Sequence, residues 1–97
     1  MFKVFSISPA DAAKIDPVLK DDFVSRQSIA VRDADPLGFP GLGILILIEG
    51  DERAVARAVE LFQGISKDLS AEREVAIRKA IRDQEDDVAA GLGMILG

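Results

Sequence analysis

Cysteine, histidine, tryptophan and tyrosine are all absent from this chain of 97 residues. Without cysteine the chain forms no disulfide bond, so its composition gives no sign of an oxidising compartment. Without cysteine and histidine it also lacks the ligands of most zinc sites, a thiol nucleophile and the histidine base of a serine triad. Any chemistry in a single chain therefore depends on carboxylates, lysines, hydroxyls and the main chain.

Long apolar runs and an excess of basic side chains are missing too. The net charge is −5, which argues against a nucleic-acid partner, because binding phosphates needs clustered lysine and arginine. No apolar run approaches the roughly 20 residues that span a bilayer, and no signal-peptide pattern is present. We therefore expect a cytoplasmic protein without a membrane partner, and nothing in the sequence indicates a cofactor.

The balance of apolar and charged residues is typical of a folded domain, with 48% apolar and 30% charged. A length of 97 residues is near the common size of one domain, so we expect residues 1–97 to share a single core. Five phenylalanines are the only aromatic residues, so that core is expected to be mostly aliphatic.

Three segments have the apolar content expected of strands. Met1–Ile7 supplies apolar groups to both faces, and alternation within Phe23–Asp33 indicates a strand with one wet face. Gly43–Ile48 is the most strongly β-favouring segment of the chain. The turn-forming residues Asp35–Gly41 separate the second and third strands, which predicts an antiparallel pair joined by a loop.

Capping residues mark the starts of three helices, at Ser8, Asp51 and Ser70. The predicted order of elements is therefore β-α-β-β-α-α. With right-handed crossovers, the simplest α+β arrangement is a ferredoxin-like split βαβ sandwich (β-α-β-β-α) with an extra C-terminal helix over Ser70–Ala90. Whether Met94–Leu96 forms a short last strand is left open.

The third strand is apolar on both faces. Ile44, Ile46 and Ile48 point one way, toward the first two helices. Leu45 and Leu47 point the other way, and leaving each of them exposed would forgo roughly 1.5–3 kcal/mol. Either the third helix or a second copy of the chain must cover them. We favour a homodimer with Leu45 and Leu47 at its interface, because small sheets commonly pair as two-fold dimers.

A ligand site is the first functional candidate, at the end of the first strand and the loop that follows the second. Free amides at a helix start hold anions, and nearby hydroxyls and an apolar wall would complete such a site. The alternative is an ordinary hairpin loop and helix cap. The residues of this candidate are Ser6, Ser8, Gly38, Phe39 and Gly41.

An acidic corner is the second candidate. The proposed topology brings Asp21 and Asp22, near the start of the second strand, close to Glu49 and Asp51. Carboxylate oxygens are the ligands that Mg²⁺ and Ca²⁺ prefer, so a divalent metal is one interpretation. The alternative is a set of solvated acids at helix starts, where the helix dipole favours them.

The acidic segment Asp83–Asp87 is the third candidate, as a surface for a protein partner with a basic face. The alternative is a solvated helix held by ion pairs at helical spacing. Those pairs would be Glu74–Arg78, Lys79–Asp83 and Arg82–Asp86.

No spacing singles out a catalytic pair, so we assign no catalytic residues. The leading hypothesis is a non-catalytic, self-associating accessory or regulatory module. A small-ligand or divalent-metal-binding domain is the alternative, and an enzyme based on carboxylates ranks third.

Overall fold

The structure is a computed structural model that describes the main chain of residues 1–96 and the side chains of residues 1–86. Over this range the chain forms an α+β domain with a four-stranded antiparallel sheet and four α-helices. In chain order the elements are β1 (Phe2–Ile7), α1 (Ile15–Leu19), β2 (Ser28–Asp33), α2 (Ala34–Leu37), β3 (Ile44–Glu49), α3 (Glu52–Leu61), β4 (Ser66–Lys67) and α4 (Ala71–Leu96). Two 3-10 turns, Pro9–Lys14 and Val24–Arg26, flank α1.

The sheet has the strand order β2-β3-β1-β4, and every neighbouring pair is antiparallel. β1 and β3 pair along their whole lengths, from Phe2 opposite Glu49 to Ile7 opposite Ile44. β4 is only two residues long and pairs with the last two residues of β1. The two edge strands are therefore β2 and β4, and β4 covers only one end of β1.

The three strands predicted from the sequence are present as β1, β2 and β3, but β2 begins at Ser28 rather than at Phe23, because Val24–Arg26 forms a 3-10 turn. The helix predicted after Asp51 is confirmed as α3, and the Asp51 carboxylate accepts a hydrogen bond from the amide of Arg53 at 2.8 Å. The helix predicted after Ser8 is instead divided into a 3-10 turn and the five-residue α1. Pro17 lies in the first turn of α1, where a residue without an amide is tolerated.

Sequence reasoning missed β4, because Ser66 and Lys67 are polar and form no alternating pattern. It also ended the last helix too early. α4 continues to Leu96, so Met94–Leu96, for which a short last strand was left open, is helical, and Gly97 lies outside the described residues. The place beside β1 that such a strand would take is occupied by β4. Although α4 is long, no helix of the described range is apolar enough to cross a membrane.

The larger core lies between the sheet and the helices α1 and α3. Phe5, Ile46 and Ile48 are buried there against side chains of both helices. The ring of Phe62, just after α3, lies 4.7 Å from the ring of Phe5. This face is the one that the alternation of β3 assigned to the first two helices.

The second core lies on the opposite face of the sheet, under α4. Leu45 is completely buried and Leu47 is 3% exposed, and both belong to one cluster with Ile77 and Ile81 of α4. Both faces of β3 are thus dry, as the sequence predicted. The prediction that Leu45 and Leu47 form a dimer interface is wrong, because α4 of the same chain covers them.

Candidate interaction site at the edges of the sheet

Glu49, at the end of β3, holds α4 to the sheet. Its carboxylate accepts hydrogen bonds from Arg78 Nη2 at 2.6 Å and from Arg82 Nη2. The Arg78 guanidinium also lies over the ring of Phe2, 4.9 Å from its centroid. Hydrogen bonds from Arg78 and then Arg82 outweigh the partial burial of the carboxylate and hold the pKa of Glu49 below its ordinary value.

The first turn of α4 closes the edge of β1. The amide of Val4, which points away from β3, donates to Glu74 Oε1 at 3.0 Å. The ammonium group of Lys3 reaches Glu74 Oε2 at 3.3 Å, and the Glu74 side chain is only 12% exposed. A carboxylate thus takes the hydrogen bond that a neighbouring strand would accept. β4 stops before this point because Ser70 caps α4, accepting from the amide of Arg73 at 3.2 Å.

At the other edge of the sheet, no strand of the residues that the structure describes pairs with the outer side of β2. Main-chain groups alternate in direction along a strand. Val4 lies opposite Leu47, and because the main-chain groups of Val4 point away from β3, those of Leu47 point away from β1 and toward β2. Leu47 is paired with Ala30, so the main-chain groups of Ala30, and by alternation those of Ser28 and Arg32, point toward β3. The main-chain groups of Ile29 and Val31 therefore point outward, and no strand of the described chain lies beside them. The Val31 side chain is 43% exposed.

One side chain partly shields this edge. Arg32 Nη1 donates to the outward carbonyl of Val31 at 2.9 Å. The same guanidinium donates to Gln84 Oε1 at 3.1 Å and lies 3.9 Å from Glu85. α4 therefore crosses the sheet from Glu74 at the β1 edge to Glu85 at the β2 edge. The carbonyl of Val31 has an intramolecular partner, whereas the edge as a whole stays free of a neighbouring strand.

The acidic segment Asp83–Asp87 takes part in ion pairs within α4. Lys79 and Asp83 form the predicted pair at 2.8 Å, and this pairing raises the pKa of Lys79. Glu85 accepts from Arg82 at 3.2 Å. The Asp87 side chain lies outside the described residues. For Asp83 and Glu85 the geometry agrees with the alternative of a salt-bridged helix.

Two of the ion pairs predicted for α4 are wrong, because the basic side chains reach the sheet instead. Arg78 was predicted to pair with Glu74, yet Glu74 bonds Lys3 and Val4 while Arg78 bonds Glu49. Arg82 was predicted to pair with Asp86, yet it pairs with Glu49 and Glu85. Spacing along a helix could not reveal partners that another element supplies.

The ligand candidate on the first strand is explained by contacts within the fold. Ser6 is completely buried, and its hydroxyl donates to the carbonyl of Leu42 at 2.5 Å. The Ser8 hydroxyl accepts from the amide of Ala10 at 3.4 Å. Both serines thus serve as internal partners, in agreement with the alternative of an ordinary cap.

The loop residues of the same candidate also serve the fold. Gly38 ends α2 in the left-handed conformation with φ 100°. Phe39 packs against the core under α4. The amide of Gly41 donates to Asp35 Oδ1 at 3.2 Å. A ligand at these five residues stays a prediction, and the geometry favours the hairpin alternative.

The carboxylates of the metal candidate are committed to separate partners. Asp21 Oδ1 accepts from Arg57 Nε at 3.3 Å, and its Oδ2 accepts from the amides of Phe23 and Val24. Desolvation by burial raises the pKa of Asp21. Hydrogen bonds from the amides of Val24 and Phe23 and the charge of the Arg57 guanidinium outweigh this effect and hold the pKa below its ordinary value.

The remaining members of the metal candidate do not complete a site. Glu49 lies between two arginines on the α4 face of the sheet, Asp51 caps α3, and Asp22 is exposed. Among the residues with described side chains, no three acidic groups are placed to hold a metal ion. The metal site predicted from Asp21, Asp22, Glu49 and Asp51 is therefore not formed.

A groove of about 440 Å³ runs between β1, the end of α3 and the segment after β4. Its volume is within the range of small-molecule sites. The lining carries charges of both signs: Lys3 and Lys67 are basic, and Glu60 and Asp68 are acidic. Sequence reasoning missed this groove, because it depends on β4 pairing with only the last two residues of β1.

Comparison of the chain with protein-family models, with curated proteins and with solved structures finds no match.

Proposed function

We propose that this protein is a non-catalytic accessory module that acts by self-association through the edge of β2. The observation that carries the proposal is the difference between the two edges of the sheet. Glu74 accepts from the Val4 amide of β1. β2 instead offers the outward main-chain groups of Ile29 and the outward amide of Val31, while the Val31 carbonyl already accepts from Arg32. An open edge strand is a template for pairing with a strand of another chain.

The strand order supports a ferredoxin-like topology for this module. In the order β2-β3-β1-β4, β3 lies between β1 and β2, as a split βαβ unit requires. Side chains of α1 and α3, which follow β1 and β3, belong to the same core on one face of the sheet. α4 is the addition to this plan, and it covers the face that a two-layer sandwich leaves open.

The state of the carboxylates supports a role without catalysis. General acid catalysis needs a carboxyl group whose pKa is raised toward neutral pH. Asp21 and Glu49 are instead bound by arginines, and the pKa of each is lowered. Glu74 is occupied by the amide of Val4. Lys79 and Arg82 partly neutralise the segment Asp83–Asp87, which leaves less acidic charge there for a basic partner.

Sedimentation velocity tests the self-association. The wild type is compared from about 10 μM to about 1 mM, a range that captures weak pairing. Two valines with the same exposure, Val31 and Val59 at 43% each, supply a matched pair of variants. We expect Val31→Lys to be monomeric, because a lysine on an edge strand opposes pairing, and Val59→Lys to associate like the wild type. A wild type that stays monomeric throughout would overturn the proposal.

A small ligand in the groove is the second candidate function, and the volume and mixed charge of the groove favour it. A thermal-shift panel of organic acids, amino acids and nucleotides tests it, because a bound ligand raises the melting temperature. Lys67→Ala should abolish any shift, whereas Lys20→Ala, also on the surface, should keep it. No shift with any compound would count against this candidate.

A further inference from the structure

We infer that two copies pair antiparallel through β2 with Ala30 on the two-fold axis, which places Ile29 of each copy opposite Val31 of the other. This inference rests on the proposed self-association. It specifies the register of the contact. The outward direction of the main-chain groups and the charges along β2 limit the registers that are possible.

The direction of the main-chain groups limits the registers. Only Ile29, Val31 and, at the end of the strand, Asp33 alternate outward. An antiparallel pair forms its hydrogen bonds between residues that both point into the interface. Five two-fold registers over β2 satisfy this condition. Those centred on Ile29 or Asp33 form a single such pair, and the three centred on Ala30, Val31 or Arg32 form at least two.

The register centred on Arg32 is disfavoured by charge. It sets the two Arg32 guanidinium groups directly opposite each other, and like charges in that position are destabilising. It also pairs Val31 with Asp33, an apolar residue with an acid.

The register centred on Val31 is better but still carries two mismatches. It leaves the two Arg32 side chains on diagonal positions, about 7–8 Å apart, within reach of long side chains. It also places Ile29 opposite Asp33.

The register centred on Ala30 avoids both problems. Ile29 then faces Val31 twice, and pairs of β-branched residues favour strand association. Arg32 faces the neutral Ser28, and the two arginines are four residues apart along the strands. The two Ala30 residues meet at the close spacing of a pair without hydrogen bonds, about 4.5 Å between Cα atoms, where a methyl side chain fits.

The expected contact is small, because stable interfaces bury about 1,200–2,000 Å² in total and five paired residues on each strand supply less. A covalent trap suits such weak pairing. The chain contains no cysteine, so each introduced thiol is unique. Opposite residues of an antiparallel pair lie about 4.5–5.5 Å apart at Cα, within the range of a disulfide, whereas diagonal residues fall outside it.

The test mixes Ile29→Cys and Val31→Cys copies, one of them isotope-labelled, under mild oxidation and weighs the disulfide-linked dimers by mass spectrometry. We expect the mixed dimer to exceed either homodimer by about tenfold, because only the mixed pair has disulfide geometry in this register. Val59→Cys, with the same exposure as Val31, should link no more than a free thiol in solution. Melting temperatures of all three variants establish that they are folded.

Each outcome bears on one claim. A dominant Val31→Cys homodimer would place the axis at Val31 and overturn the inferred register. If no mixed dimer forms while Val31→Lys still abolishes association, the inferred register is also overturned. The proposed self-association through β2 then stands. If the wild type does not associate at all, the proposed function fails and the inference fails with it.

Discussion

Glu74 shows how one side chain changes the properties of a strand edge. It lies in the first turn of α4, where the helix dipole favours an acid. Its carboxylate accepts from the Val4 amide and from Lys3, and it is mostly buried. An amide that would otherwise attract another strand is thereby satisfied within the chain, on the part of β1 that β4 leaves uncovered.

Glu74→Ala is expected to destabilise the protein by about 1–3 kcal/mol, because it leaves the Val4 amide without a partner in a mostly buried place. Urea unfolding measures the change. Glu72→Ala is the control, since Glu72 lies in the same turn but is exposed. Equal losses in the two variants would show that the dipole, rather than the hydrogen bond to β1, determines the effect.

Glu49 predicts a dependence of stability on pH. Its pKa in the folded state is held below the ordinary value of 4.5 by Arg78 and then Arg82. A lowered pKa contributes stability above the pKa of the unfolded state, and that contribution is lost as the pH falls through the folded value. The wild type should therefore lose stability below about pH 4.5.

The comparison of urea unfolding at neutral and acidic pH isolates this contribution. Glu49→Gln should be less stable than the wild type at neutral pH and should lose less on acidification. Glu60→Gln is the control, because Glu60 is 72% exposed, and it should follow the wild-type curve. An unchanged acid sensitivity in Glu49→Gln would contradict the role of the two arginines.

At the scale of elements, α4 is the cover of the second sheet face. Ile81 is completely buried against Leu45 and Leu47. Ile81→Ala should cost about 2–5 kcal/mol in the free energy of unfolding, as expected for a buried isoleucine. Val75→Ala is the control, because Val75 lies on the same helix with 59% exposure, and it should cost little. A small loss for Ile81→Ala would mean that α4 contributes little to the core.

The alternating direction of the main-chain amides in β2 predicts that proline is tolerated at some positions of the strand and not at others. Val31→Pro removes an outward amide, so the ladder with β3 is kept and the melting temperature should fall only slightly. Ala30→Pro removes an inward amide and should cost about 3 kcal/mol or more. Thermal unfolding of the two variants checks this difference. Similar losses would show that the main chain of β2 is not oriented as the register implies.

At the scale of the whole molecule, association should couple to stability. If native copies pair and unfolded chains do not, the melting temperature rises with protein concentration. We expect this rise for the wild type and for Val59→Lys, and none for Val31→Lys. Scanning calorimetry over a range of concentrations measures it. A concentration-dependent melting temperature in Val31→Lys would place the contact somewhere other than β2.

Local signals in the sequence were sufficient for much of the fold. Alternation and apolar content predicted β1, β2 and β3, and Asp51 marked the start of α3. The lack of alternation in β3 correctly predicted that both of its faces are dry. These properties depend on neighbouring residues along the chain, so periodicity and capping chemistry reveal them.

Only the tertiary structure decided what covers Leu45 and Leu47 and which edge of the sheet is closed. The hydrogen bond between Val4 and Glu74 joins residues 70 positions apart, and the Glu49–Arg82 pair joins residues 33 apart. Such contacts depend on the path of α4 across the sheet, which no local pattern encodes. The sequence therefore determined that a second layer must cover β3, whereas packing determined that this layer is the chain's own helix. Within the described residues, the outer side of β2 has no neighbouring strand.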